Sequence, residues 1–278
     1  MADLSYDVLR RLMAALCLIA AAAVPAEPAA GTGSTSLRVL QMNLCNSGRA
    51  GCYTGRAVPR AAEVIRAETP HLVTLNEICR DDVPALERVL ADVHRGGRVV
   101  AAFQAAGDRP SGDVTRCRDG QPYGIGLLAH LAAPQRGHRI LSGTYPVQDG
   151  TDPELRVWLC VHAPGVAHAC TTHLAAFRSA VALAQCRHLI DHVVPRIRRD
   201  AGYLPTVLGG DLNLRHGGSP DVRACVPPGH RRVDDGGVQQ IVATTDITVD
   251  DLRPVGMNGA TDHPGLLAGL TVDADQDR

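Results

Sequence analysis

Lysine is absent from this chain: each of its 28 basic residues is an arginine. Schiff-base chemistry and the phosphate-binding P-loop both need a lysine amine and are thereby excluded. Aromatic residues make up only 3% of the 278 positions. Stacking platforms for exposed bases are therefore few, with Tyr53, Tyr123 and Trp158 the candidates. Neither sign of charge is in excess, since 29 acidic residues leave a formal net charge of −1. That excludes a global basic field that grips nucleic acid regardless of sequence. No apolar run reaches the roughly 20 residues that span a bilayer, and no two cysteines are spaced as zinc ligands are. What is present is an apolar fraction of 45%, enough to build a substantial core.

Arg10 and Arg11 precede the apolar stretch Leu12 to Val24, and Val24-Pro25-Ala26 fits a small-x-small cleavage site. Residues 1–30 thus read as a signal peptide and linker, and 31–278 as a single domain. A retained N-terminal anchor is the other reading of the same run. With the leader removed, the expectation is a secreted monomer without stable membrane insertion. Setting Cys17 aside, eight of the nine cysteines remain, an even number that suits up to four disulfides in an exported chain. Counting alone leaves the pairing open. Cys45–Cys52 closing a short loop, Cys79–Cys117, Cys160–Cys170 across neighbouring strands and Cys186–Cys225 are the pairs suggested.

Periodicity predicts strands at 37–43, 71–75, 99–103, 123–129, 155–161, 166–172, 205–208, 238–244, 247–252 and 265–271. Helices are predicted over 58–68, from Asp82 to Gly96-Gly97, and over 175–194 as the longest. The stretches 107–120 and 215–235 read as loops. Mixed strands and helices with several hairpin-like neighbours favour an α/β domain whose sheets are partly antiparallel.

Polar clusters follow the apolar strands, where a sheet delivers side chains to a cleft. They are Gln41-Met42-Asn43, Leu75-Asn76-Glu77, Thr171-Thr172-His173, Gly209-Gly210-Asp211-Leu212-Asn213 and Thr261-Asp262-His263-Pro264. Each alone reads equally as a turn or a hydrogen-bonded structural residue. Together they supply carboxylates that suit Mg²⁺, Mn²⁺ or Ca²⁺ and two imidazoles that suit proton transfer.

The ordered set resembles the endonuclease/exonuclease/phosphatase superfamily, the deoxyribonuclease I-like proteins. The stretches that carry it are LRVLQMNLC (37–45), LVTLNEIC (72–79), YGIGLLAH (123–130), CTTHL (170–174), VLGGDLNL (207–214) and TDHPGLLAGL (261–270). The resemblance implies a two-layer mixed β-sandwich flanked by helices, a four-layer α/β fold with the cleft at one end. It implies that Glu77 binds a catalytic divalent cation, with Asn43 close by and Asp262 binding metal or holding the site. Asp211 and Asn213 would orient the attacking water and the phosphoryl oxygens. His263 would lie near that water, and His173 would donate to a phosphate oxygen or the leaving group. A phosphodiester resists anionic attack, so a cation and protonatable imidazoles suit it.

Two departures from the family pattern stand out. Gln239 occupies the place of an acid that orients the C-terminal histidine. Its amide oxygen would accept from that imidazole, or Asp234 or Asp235 would take the role. Ile125 stands where an asparagine is common. Arg109, Arg116 and Arg118 in the 107–120 loop are candidate phosphate clamps, or a solvated surface, and Tyr123 is a further substrate contact. The leading expectation is a secreted metal-dependent phosphodiesterase with nucleic acid among its substrates. A lipid head-group phosphodiesterase, a small-ester phosphatase and an inactive binding protein of the same fold are the competing readings. A cysteine-nucleophile hydrolase built on Cys170 and His173 fits poorly, because an even cysteine count implies pairing.

Overall fold

The computed structural model describes residues 34–132 and 137–272. The expected signal peptide lies outside the described residues. Among them, the chain forms two six-stranded sheets and one two-stranded ribbon.

The first sheet has the order β13-β14-β1-β2-β5-β3. Its strands are β1 (Thr35–Asn43), β2 (Leu72–Cys79), β3 (Arg98–Ala105), β5 (Tyr123–Leu131), β13 (Ile247–Val255) and β14 (Gly265–Val272). The second sheet has the order β11-β12-β10-β9-β8-β6. It comprises β6 (Arg139–Thr144), β8 (Val157–Ala163), β9 (Ala167–His173), β10 (Thr206–Asp211), β11 (His230–Asp234) and β12 (Gln239–Thr244). β4 (Gly107–Asp108) and β7 (Glu154–Leu155) form the ribbon.

Period-2 alternation builds the layers. In β1, Leu37 and Val39 enter the core between the sheets, while Leu40 and Met42 face α1 (Ala57–Glu68) and α2 (Asp82–Val93) on the outer side. In β10, Val207 faces the inter-sheet core and Leu208 the opposite face. That face is covered by α3 (Ser179–Arg187), a π-helical segment (His188–Val193) and α4 (Val194–Ala201). The stack is helix, sheet, sheet, helix, which is the expected four-layer class.

There are three local differences from the sequence expectations. β6 and β11, the latter inside the expected 215–235 loop, are the two edges of the second sheet. Their compositions, RILSGT and HRRVD, are largely polar and partly exposed, because an edge strand needs backbone pairing more than an apolar face. The long helix starts at Ser179 rather than at residue 175, and the Ala175 N–H ahead of it is bound by the Gln185 side chain at 2.9 Å. It also continues past Val194, through a π segment that absorbs Pro195 and its missing N–H.

Sheet direction positions the site. β1 and β2 are parallel, with Asn43 opposite Asn76, and β9 and β10 are parallel, with Asp211 opposite His173. The inter-sheet face grades from apolar at one end to polar at the other. Gln41, Thr74, Asn76, Thr171 and Gln239 are buried there. The sheets approach so closely that a side chain at Gly209 would meet Thr74 Oγ1 at 2.3 Å.

Candidate active site

The site grows out of that polar seam. Asn76, fully buried, accepts from Gln41 Nε2 at 2.7 Å and from the Asp211 N–H at 2.8 Å, and donates to the Thr172 carbonyl at 3.0 Å. It thereby stitches one sheet to the other beside the cleft. Gln239 donates to Asp211 Oδ2 at 2.7 Å and accepts from Gln41 Nε2 at 3.0 Å. Both ends of its amide are occupied, so it does not orient His263 as the sequence reading allowed. Asp234 does not take that role, because it pairs with Arg232. Asp235 accepts from the Gly237 N–H at 2.7 Å, closing a turn. Ile125 is buried in the inter-sheet core.

A β-bulge aims Glu77. The register of β2 against β5 shifts between Asn76 and Ile78, and Glu77 takes φ 55°. Strict alternation would have sent this side chain toward α1 and α2; the extra residue breaks the parity. Glu77 Oε1 accepts from Asn43 Nδ2 at 2.9 Å, and the same Nδ2 reaches Asp211 Oδ2 at 3.2 Å. The Asn43 amide oxygen accepts the Cys45 N–H at 3.1 Å. Asn43 therefore bridges two carboxylates through its NH₂ group. Asp211 Oδ1 accepts the Asn213 N–H at 3.0 Å, and Asn213 Nδ2 donates to the Leu174 carbonyl at 2.9 Å.

His263 stands between two acids, its Nε2 lying 3.8 Å from Asp211 Oδ2 and 3.8 Å from Asp262 Oδ2. Thr261 Oγ1 holds this loop to β1 through the Asn43 carbonyl at 3.0 Å. His173 is buried, and desolvation together with the positive charge of Arg156 pushes its pKa down to about 3. That shift favours its neutral imidazole, which still carries one N–H. Burial raises the Glu77 pKa, and the nearby negative charges of Asp211 and Asp262 add to the rise.

Glu77, His173, Asp211, Asn213 and His263 line one cleft of about 740 Å³, together with Tyr123, Arg116 and Arg156, whereas Asn43 and Asp262 lie beside it without lining it. Tyr123 is buried, and burial lifts its hydroxyl well above the usual range. Arg116 is tied to Asp113 at 2.9 Å and to the Gly120 carbonyl at 3.1 Å. Arg118 lines a neighbouring groove instead. Arg109 is turned away, its guanidinium bound to the Asp149 carbonyl at 2.7 Å and the Asp152 carbonyl at 3.2 Å. Trp158 lines a groove on another face, beside Ile140 and His192.

Arg156 is the residue that sequence reasoning missed. It is buried and paired with Asp152 at 2.8 Å, while its Nη1 lies 3.4 Å from Glu154 Oε1 and makes no hydrogen bond among the described residues. Burial pushes the Glu154 pKa up to about 7 against the opposing pull of Arg156. The available signal was the run Asp152-x-Glu154-x-Arg156 at the head of a buried strand, where charge is unusual without a purpose.

The four disulfides pair Cys45 with Cys52, Cys79 with Cys117, Cys160 with Cys170, and Cys186 with Cys225. Cys45 follows Asn43 by two positions and Cys79 follows Glu77 by two, so two bridges brace the ends of the strands that carry site residues. Among the described residues no helix is long and apolar enough to cross a membrane.

No protein-family model and no curated protein matches the chain. Solved structures do. An endonuclease/exonuclease/phosphatase from Beutenbergia cavernae is 23% identical over 86% of this chain and 72% of its own, with a TM-score of 0.63. An endonuclease/exonuclease/phosphatase family protein from Bacteroides thetaiotaomicron is 14% identical over 89% and 99%, with a TM-score of 0.61. The human Nocturnin catalytic domain, with a bound sulfate anion, is 17% identical over 86% and 96%, with a TM-score of 0.60. At these identities the likeness is one of fold, and the fold is that of the endonuclease/exonuclease/phosphatase proteins.

Proposed function

We propose that the protein is a divalent-metal-dependent phosphoesterase that hydrolyses phosphodiesters by in-line attack of water, with nucleic acid the leading substrate. The observation that carries this reading is the convergence of Glu77, Asp211, Asn213, His173 and His263 on one cleft from separate strand ends.

The donor set fits a hard cation. Burial raises the Glu77 pKa, the nearby charges of Asp211 and Asp262 add to the rise, and a divalent ion would offset both. Glu77 and Asp262 would hold Mg²⁺, Mn²⁺ or Ca²⁺, with Asn43 fixing the Glu77 carboxylate. Such an ion neutralises charge developing on phosphoryl oxygens. Asp211, gripped by three N–H donors, and the adjacent His263 orient and deprotonate the attacking water. Neutral His173 donates one N–H to a phosphoryl oxygen, the option that a pKa of about 3 leaves to it. Arg156, paired with Asp152 and Glu154 beside the cleft, supplies positive charge that favours the phosphoryl group without touching it. Four disulfides and the leader-like N-terminus support export and a secreted enzyme.

The test is hydrolysis of bis(p-nitrophenyl) phosphate by the purified protein. EDTA is expected to abolish it and Mg²⁺ or Mn²⁺ to restore it. Activity that survives exhaustive chelation would remove the metal from the mechanism.

A further inference from the structure

The catalytic cleft has a neighbour. A second groove of about 550 Å³ is lined by Asn46, Tyr53, Asp82 and Arg118, and it shares Ser47 with the cleft. Each of the two depressions has one exposed aromatic ring. Phe177 lines the cleft and is 71% exposed; Tyr53 lines the groove and is 42% exposed. Each also has an arginine whose guanidinium makes no hydrogen bond or ion pair among the described residues, Arg49 in the cleft and Arg118 in the groove. In a chain with only 3% aromatic residues, this placement of rings and free cations around one reaction centre is a pattern.

Both rings stand on segments that are tied down. Ahead of Phe177, the Leu174 N–H binds the Asp211 carbonyl at 3.0 Å and the Ala175 N–H binds Gln185 at 2.9 Å. The Arg178 carbonyl just beyond it receives the Val181 N–H at 2.9 Å. Tyr53 follows the Cys45–Cys52 bridge, and Thr54 Oγ1 is bound to the Ala260 carbonyl at 2.7 Å. A ring held in place stacks without a large ordering cost.

We infer that the enzyme takes a single-stranded polynucleotide across the Ser47 ridge, with one base stacked on Phe177, another on Tyr53, and flanking phosphates met by Arg49 and Arg118. This rests on the phosphodiesterase reading above and names its substrate class. Alternating planar bases and anionic phosphates match alternating rings and guanidiniums, and unstacked bases present the π-faces that such rings bind. A lipid surface is the poorer match, because each lip offers one ring among charges rather than an apolar loop.

The test compares kcat/KM of the full protein on a twelve-residue oligothymidylate, on the same backbone with abasic residues, and on bis(p-nitrophenyl) phosphate. Wild type is expected to prefer the base-bearing strand. Phe177→Ala and Tyr53→Ala should each lower kcat/KM on it by about 5- to 100-fold, mainly through KM, at roughly one lost stack per variant. On the abasic strand the loss should be at least fivefold smaller, and Phe177→Tyr and Tyr53→Phe should recover most of the preference. Equal losses on both strands, or a wild type indifferent to the bases, would overturn the inference. So would a Phe177→Ala loss confined to sphingomyelin vesicles. Turnover of the small diester without any oligonucleotide cleavage would overturn this inference alone. Failure on the small diester with every divalent ion would overturn the phosphodiesterase reading itself.

Discussion

Replacing Asn76 with leucine tests whether the buried polar seam holds the two sheets in register at the cleft. Leucine keeps the branched shape but is larger, so no cavity opens and any overpacking adds to the loss. The main loss is in hydrogen bonds. Gln41 Nε2 keeps Gln239 Oε1 at 3.0 Å, whereas the Asp211 N–H loses the partner it has at 2.8 Å, and the Thr172 carbonyl loses a donor at 3.0 Å. One orphaned buried N–H costs about 1–3 kcal/mol and a half-satisfied carbonyl less, for a total of about 2–4 kcal/mol. At this domain size each kcal/mol moves the melting temperature by about 2–4 °C, so a fall of about 5–15 °C is expected. Circular dichroism melts of the oxidised protein measure it, with exposed Val147→Ala as a control expected to stay within about 0.5 kcal/mol. Well below its melting point the variant should also lose turnover, because Asp211 is no longer held by its backbone. An Asn76→Leu melt within about 2 °C of wild type, or full turnover, would show that the seam is dispensable and that the site is held in some other way.

Other expectations follow from the same structure. Asp211→Asn and His263→Ala should each lower turnover of a diester by at least about 10²-fold; near-wild-type kcat in either would move the chemistry elsewhere. His168 is buried, and desolvation pushes its pKa down to about 4. The unfolded chain therefore binds this proton more readily. The stabilisation it contributes is complete above pH 6.5 and is lost as the pH falls toward 4. His168→Gln should flatten the slope of stability against pH in that window, read from urea midpoints, and an unchanged slope would contradict the assignment. Reduction should add eight hydrogens, two for each of the four bridges, and should lower turnover as the ends of β1 and β2 loosen. Eight thiols that alkylate without reductant, or full activity after complete reduction, would contradict the bracing role.

Much of this molecule can be read along the chain. Alternation in β1, β2, β9 and β10 marks which residues enter the inter-sheet core. The polar residues that end those strands name Asn43, His173 and Asp211 as a set, because a strand of period two commits each side chain to a face. What the linear order leaves open is whatever depends on a partner strand or a through-space charge. The bulge that turns Glu77 into the cleft exists only against β5. The neutrality of His173 comes from burial and from Arg156, 17 positions earlier in the chain but beside it in space. Gln239 meets Asp211 and Gln41 rather than a histidine because β12 lies next to β10. Phe177 reads as one more apolar residue in a helix until the helix begins two positions later and leaves its ring at the mouth of the cleft. Local pattern is set by covalent geometry and solvent preference, which the sequence carries. Convergence is set by which strands pair, and that is decided when distant segments pack.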